Sequence, residues 1–303
     1  MEQLALPGIG ETTFLPRAKA KPIIKWAGGK AWLVPYLAPG IYRKLAVTGG
    51  RYIEPFLGGG ALALDLGLPG MILGDACEPL CAMYQTVVAH PMPVAWALST
   101  LATQGVDEKT YYHVRDARPR APILAAARFI YLNRLGYNGL YRENTKGEYN
   151  VPYGDQVHRK SATTRADAGL VDTLFPSGGK LMALARTFAT ADLDFGDFAA
   201  TLSYARAGDV IFADPPYMGV FGSYTARGFP PADQARLAFA LREAHEHGAI
   251  IVATNADHPE IRALYAWAHV MSTAEARAIS QDGANRQRAQ TLLITTGMEI
   301  LGT

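Results

Sequence analysis

Residues 51–75 read RYIEPFLGGGALALDLGLPGMILGD, and their order decides the fold. Residues 51–56 form a strand-like run that enters a glycine turn, Gly58-Gly59-Gly60. A helix follows over 61–68, then a short second strand over 71–74 that ends in Asp75, 15 residues after Gly60. Glycines at such a turn let a ligand approach the backbone and leave helix N–H groups free to meet it. Further along, strands are expected over 190–194, 210–213, 249–254 and 291–295, with helices over 231–247 and 258–266 between them. Strands and helices that alternate in this way predict a doubly wound, mostly parallel α/β sheet.

The stretch 77–176 breaks the alternation. It begins with helices over 91–102 and 123–135 and then turns polar and aromatic, Asn133-Arg-Leu-Gly-Tyr-Asn-Gly-Leu-Tyr-Arg-Glu-Asn144 followed by Tyr149-Asn-Val-Pro-Tyr-Gly154. It also carries the charge. The net charge is +2, yet residues 109–165 hold eleven Lys/Arg against four Asp/Glu, which leaves the rest of the chain near −5. A basic segment on an acidic body points to a polyanion partner, with a solvated charged surface as the plain alternative. The expected organisation is a flexible tail over 1–20, a catalytic α/β domain made of 21–76 and 177–303, and an inserted, mainly helical domain over 77–176.

The chain has 303 residues, 49% of them hydrophobic and 18% charged, enough for a full α/β core. No apolar run approaches the ~18 residues of a membrane span. Residues 1–20 lack the basic and apolar regions of a secretory leader, so a cytoplasmic protein is expected. The two cysteines, Cys77 and Cys81, have no second pair to complete a metal site and read as free thiols. His245-Glu246-His247 lacks the zinc-binding H-E-x-x-H spacing, so no metal is expected.

Two phosphate-binding readings of the glycine turns fail. The Rossmann pattern G-x-G-x-x-G needs glycine where Ala63 stands, and a P-loop fails at Ile24 and Ala31 around Gly29-Lys30. A turn for a nucleoside without a polyphosphate remains, with Asp75 placed to accept ribose hydroxyls. Asp197-Phe198 suits an adenine edge and face, or equally a helix N-cap followed by a core ring.

Asp214-Pro215-Pro216-Tyr217 ends the apolar run 210–213, at the sheet edge where α/β proteins bind ligands. The prolines fix φ and donate no N–H. A carboxylate and a proline-flanked carbonyl there suit the two hydrogens of a flat exocyclic amine, with the tyrosine over the ring. An ordinary strand-to-turn step is the competing reading.

Five blocks in this order (Lys25-Trp-Ala-Gly-Gly-Lys30, Glu54 to Gly60, Asn133 to Asn144, Tyr149 to Gly154 and Asp214 to Tyr217) resemble the DNA adenine methylase (Dam) family. The resemblance runs from about Pro22 to Thr296. It implies a Rossmann-like class I methyltransferase fold with an inserted target-recognition domain. The expected activity is transfer of a methyl group from S-adenosylmethionine to N6 of a flipped-out adenine in double-stranded DNA, within a short palindrome such as GATC. By motif, Asp214, Pro215, Pro216 and Tyr217 are the catalytic candidates. Trp26, Lys30, Phe56, Gly58, Gly60, Asp75, Asp197, Phe198 and Asp214 are expected at the cofactor. In the insertion, Tyr137 resembles a wedge in the DNA stack and Asn138 a partner for the orphaned base. Leu140, Arg142 and Pro152 resemble residues on target bases. The charges of Lys146, Arg159 and Lys160 suit phosphates. Asp75-Ala76-Cys77 departs from the family's usual Asp-x-Asn. Two rivals stay open: an amine of RNA or an amide of protein as substrate, or a DNA-binding protein without turnover. Monomer and homodimer, and a solitary or restriction-paired enzyme, are likewise left open.

Overall fold

A computed structural model of the chain describes residues 18–154, 173–218, 228–274 and 290–297. Arg159 and Lys160 lie outside the described residues, as do positions 1–17 of the expected tail. Residues 18–20 are not loose: Ala18 and Ala20 donate backbone N–H groups to Gly67 and Leu64 at 3.0 and 2.9 Å, and Lys19 pairs with Asp65 at 3.2 Å.

Seven strands form one sheet in the order β3-β2-β1-β4-β5-β7-β6. They are β1 (Tyr52–Glu54), β2 (Ile72–Asp75), β3 (Asp192–Phe195), β4 (Val210–Ala213), β5 (Ile250–Ala256), β6 (His269–Ala274) and β7 (Gln290–Thr295). The first five are mutually parallel, and β7 runs antiparallel between β5 and β6. The mostly parallel, doubly wound sheet expected from the sequence is therefore present. The order reverses between β1 and β4, and the crevice at that switch point is where such sheets hold ligands.

Strand side chains alternate between two cores. Tyr52, Leu73, Val210, Phe212 and Val252 face one; Ile53, Ile72, Ile211, Ala213 and Ile251 face the other. Among the described residues, the apolar cluster on the first face takes in α1 (Val34–Thr48), α2 (Ala61–Leu66), α3 (Glu78–Ala89), α4 (Pro91–Gln104), α5 (Glu108–Asp116), α6 (Pro122–Leu135) and α7 (Gly178–Thr187). The second is covered by α8 (Phe198–Leu202), α9 (Pro231–Glu246) and α10 (Pro259–Leu264). Burying a leucine or isoleucine in either layer contributes roughly 1.5–3 kcal/mol.

Some elements depart from the sequence reading. Helix α1 was hidden by Pro35, Pro39 and Gly40, yet it folds because Leu37, Ile41 and Leu45 recur at helical spacing and are fully buried. It ends at Gly49, whose left-handed backbone returns an N–H to Leu45. Strand β6 shows no alternation of its own and forms by pairing with β7. Helix α2 stops at Leu66, not 68, because Gly67 adopts φ 57°. Leu80, Met83 and Tyr84 of α3 share one apolar cluster with Leu73 of β2 and with Ile130 of α6.

Candidate active site

At the end of β4 the chain leaves a fully buried strand, and Asp214 is the first residue beyond it. By strand parity its side chain falls on the same face as Phe212. There Lys30 Nζ lies 3.0 Å from Asp214 Oδ2, and the Thr254 hydroxyl of β5 donates to Asp214 Oδ1. Both carboxylate oxygens are thus held. Lys30 is buried, donates to the Gly28 carbonyl at 2.5 Å and sits 4.8 Å over the Tyr217 ring. Burial works to lower the Lys30 pKa, but the negative charge of Asp214 and the Tyr217 hydroxyl outweigh it and raise it, so the lysine stays charged. Burial, with the charge of Asp214 behind it, pushes the Tyr217 hydroxyl up to about 12. Asp214 is therefore an acceptor of fixed direction paired with a charged lysine, and Tyr217 is a neutral ring beside it.

The glycine turn packs between β1 and β2. Gly58 donates its N–H to Asp75 Oδ2 at 2.8 Å, and Cys77 donates to Asp75 Oδ1 at 2.9 Å. Burial raises the Asp75 pKa, opposed by these two N–H groups. A carboxylate offers about four lone-pair sites, so with a further N–H from Ala76 one site remains for a hydroxyl. At Gly58 (φ 49°) a Cβ would lie 2.6 Å from Trp26 Cδ1, so only glycine admits the tryptophan here. Gly60 has φ 65° and precedes α2. Glu54, at the end of β1, is buried and accepts the Tyr52 hydroxyl at 2.9 Å. Burial drives its pKa well above the usual carboxyl range, the Tyr52 bond opposes the rise, and the charge of Asp214 adds to it.

The donor set tests the nature of the ligand. Asp75 and Asp214 stand at the carboxyl ends of the two strands that flank β1, with Lys30 already paired. Such a rim repels a polyphosphate and suits a nucleoside that carries positive charge, which fits S-adenosylmethionine.

Asp197 and Phe198 stand at the start of α8. Asp197 caps α8 by accepting from Ala199 at 2.9 Å and pairs with Arg236 at 3.0 Å. The Phe198 ring is buried, stacked on Phe56 at 5.6 Å and near Phe229 at 5.8 Å, with the Arg236 guanidinium 5.0 Å above it. Phe56 belongs to this cluster.

Among the described residues, the expected DNA contacts of the insertion lie between 137 and 152. Tyr137 and Asn138 occupy a short 3-10 turn (Tyr137–Gly139), with Asn138 at φ 53°. Tyr137 donates its N–H to the Pro152 carbonyl at 2.9 Å, which joins the two halves of the loop. Leu140 is half-buried, whereas Arg142, Lys146 and Pro152 are exposed. Asn150 Oδ1 accepts from Arg142 Nε at 2.7 Å and so orients the guanidinium. A cavity of about 470 Å³ is lined by Met83, Phe129, Arg115, Arg118, Glu143 and Tyr149 among others.

Sequence reasoning assigned no role to Asn133, although it opens the quoted block 133–144. Buried at the end of α6, it accepts the Lys25 N–H at 2.8 Å and donates to the Lys25 and Gly139 carbonyls at 2.7 and 3.1 Å. It thus ties the loop that carries Lys30 to the turn that carries Tyr137. Trp26 adds a second tie by stacking on Tyr141 at 6.1 Å, and Tyr141 stacks on Phe129 at 5.5 Å. The signal available in the sequence was an amide inside the apolar helix 123–135. Among the described residues no group of three or more His, Cys, Asp or Glu could hold a metal, and no helix is long and apolar enough to cross a membrane.

Comparison with known proteins gives the family. A family model described as D12 class N6 adenine-specific DNA methyltransferase matches residues 26–279. A DNA adenine methylase of Vibrio cholerae is 30% identical over 284 residues, covering 91% of this chain and 95% of the relative. The Type II methyltransferase M1.LlaDCHI of Lactococcus lactis is 28% identical over 290 residues, with 91% and 95% covered. The Type II methyltransferase M.MjaIII of Methanocaldococcus jannaschii is 31% identical over 258 residues, with 78% and 84% covered.

Proposed function

We propose a specific reaction for this chain, which belongs to the family of D12 class N6 adenine-specific DNA methyltransferases: transfer of a methyl group from S-adenosylmethionine to N6 of an adenine flipped out of duplex DNA. Membership makes the chain an adenine-specific DNA methyltransferase and sets aside the RNA, amide and turnover-free readings. The observation that carries the finer proposal is the Asp214 carboxylate, held by Lys30 on one oxygen and by Thr254 on the other at the sheet's switch point.

The adenine amine is a weak nucleophile because its lone pair is delocalised into the ring. Asp214 and the Pro215 carbonyl accept its two hydrogens and draw nitrogen toward tetrahedral geometry, which frees the lone pair. Lys30 keeps Asp214 in the ionised, accepting form. S-adenosylmethionine, when bound, supplies a methyl group activated by its sulfonium charge. Asp75, the Gly58–Gly60 turn, Trp26 and Phe56 hold that nucleoside, with Asp197 and Phe198 at its adenine end. Orientation of this kind can supply roughly 7–11 kcal/mol of the barrier. Flipping the base costs a few kcal/mol. Stacking on Tyr217 returns about 1–3 kcal/mol.

Residues 77–176 act as the recognition part. Tyr137 enters the gap and Asn138 meets the orphaned base. Leu140, Pro152 and Arg142 face the target bases, with Arg142 on a guanine of a short palindrome such as GATC. Lys146, Arg159 and Lys160 grip phosphates, which gives salt-dependent affinity. The Type II names of two relatives support a place beside a restriction nuclease. A DNA substrate supports a cytoplasmic location. The test is methylation of unmodified genomic DNA with labelled S-adenosylmethionine, then modified-base sequencing. N6-methyladenine within one short motif is expected, and Asp214→Ala should abolish it while DNA binding stays within several-fold. Wild-type turnover in that variant would overturn the mechanism.

A further inference from the structure

Thr254 and Asn255 are consecutive on β5, both polar and both fully buried. Neighbours on a strand face opposite sides, so the pair grips the Asp214–Tyr217 motif from two directions. Thr254 donates to the Asp214 carboxylate, as described. Asn255 Nδ2 donates to Gln234 Oε1 at 2.9 Å, and Gln234 Nε2 donates to the Pro216 carbonyl at 2.9 Å. Gln234 lies in the first turn of α9 and is itself fully buried.

The direction of this relay is fixed by its ends. Asn255 Oδ1 accepts the N–H of Ala256 at 2.8 Å, so its amide nitrogen must face Gln234. Reversing the Gln234 amide would set donor against donor at Asn255 and acceptor against acceptor at Pro216. A purely packing role predicts an apolar side chain here. Leu237 and Leu241, three and seven residues on, continue the same buried face of α9, and leucine at 234 would fill it without a polar desolvation cost.

The target of the relay is informative. Successive prolines lock φ at 215 and 216, which leaves ψ as the soft dihedral of each. A donor on the Pro216 carbonyl fixes ψ at 216, and with it the plane of the peptide that launches Tyr217. It also takes one lone pair of that carbonyl, while the Pro215 carbonyl stays the proposed acceptor for the amine.

We propose that Gln234, oriented by Asn255, is a positioning residue for methyl transfer, setting the Pro215 carbonyl and the Tyr217 ring for the adenine amine. This rests on the reaction proposed above. The test compares single-turnover methylation of unmodified plasmid DNA, S-adenosylmethionine affinity and thermal unfolding in the full chain. Gln234→Met keeps the length and removes both hydrogen bonds. Because misplacement by about 1 Å can cost about 10²-fold, the single-turnover rate should fall roughly 10- to 100-fold. Cofactor affinity should stay within about threefold. Gln234→Glu restores a donor only while its carboxyl is protonated, so its rate relative to wild type should rise as pH falls from 8 to 6. A wild-type rate in Gln234→Met would overturn the proposal, and so would a loss matched by equal loss of cofactor affinity, which marks a merely structural amide. If Gln234→Met does not fold, Asn255→Ser is read instead, and an unchanged rate there overturns the relay. A wild-type chain that leaves no N6-methyladenine would overturn the reaction itself, which separates that failure from failure of the relay.

Discussion

Replacing Lys30 by methionine isolates the charge at the centre of the site. The side chains of Lys30 and Asp214 are 6% and 17% exposed and 3.0 Å apart, so solvent screens the pair weakly. At an effective dielectric constant of ~20, Coulomb attraction at that separation is about 5–6 kcal/mol. Desolvation of both ions offsets much of it. Removing one partner, however, strands the other charge in the interior, and such changes cost about 3–5 kcal/mol. Lys30→Met should therefore lose about 3–5 kcal/mol in urea unfolding. Adding Asp214→Asn should recover part of the loss, because the orphaned charge is gone, while turnover stays absent. The pH dependence has a definite sign. The folded Lys30 pKa lies above the unfolded one, so its contribution is complete below the unfolded value of ~10.4 and is lost as pH rises through the folded value. The stability gap between wild type and variant should thus be flat from pH 6 to 9. A gap below about 1 kcal/mol, or a double variant no more stable than Lys30→Met, would refute the reasoning.

Three further outcomes follow from particular contacts. Asp209 is buried and accepts from the Arg51 N–H at 2.7 Å, the Arg51 guanidinium at 2.7 Å and the Arg206 N–H at 3.0 Å. Asp209→Ala should cost about 3–5 kcal/mol in urea unfolding, and a loss under about 1 kcal/mol would contradict the reading. Arg142→Ala should relax choice at one base pair by about 1–3 kcal/mol in competition binding, whereas equal weakening on all duplexes would make it a phosphate contact. Burial raises the Glu54 pKa, so above the unfolded value of ~4.3 the unfolded chain releases a proton that the native state keeps. Native stability is then penalised by about 1.4 kcal/mol per pH unit until Glu54 itself titrates. Glu54→Gln removes this penalty, so its stability relative to wild type should climb above pH 4.5, and a flat difference would exclude it.

The strand-turn-strand unit 51–75 was legible because each signal is local: apolar runs, a glycine turn and a terminal acid within 25 residues. The run 210–213 gave β4 to the residue for the same reason. Helix α1 was not legible, because two prolines and a glycine outweigh its buried stripe until the sheet is there to receive it. Strand β6 was missed because an edge strand is defined by its neighbour, β7. At the site, Asp214 and Lys30 were each picked out by motif. Their ion pair joins positions 184 residues apart, and no sequence spacing encodes it. Asp197 and Phe198 were picked out as a pair, and their contacts with Arg236, Phe56 and Phe229 come from segments that no local motif encodes.

By itself the sequence determined the class of sheet, the edge that carries the chemistry and the residue types gathered there, because periodicity, turn residues and short motifs act within a few residues. Tertiary structure alone decided which groups meet. Burial sets the charge states of Glu54 and Tyr217, the Asp214 carboxylate holds Lys30 charged against burial, and Asn133 joins the loop of Lys25 to the turn of Tyr137 across 108 residues. Gln234 and Asn255 reach the proline motif from another helix and another strand. Those outcomes depend on desolvation and on hydrogen bonds between distant segments, which exist only once the chain has folded.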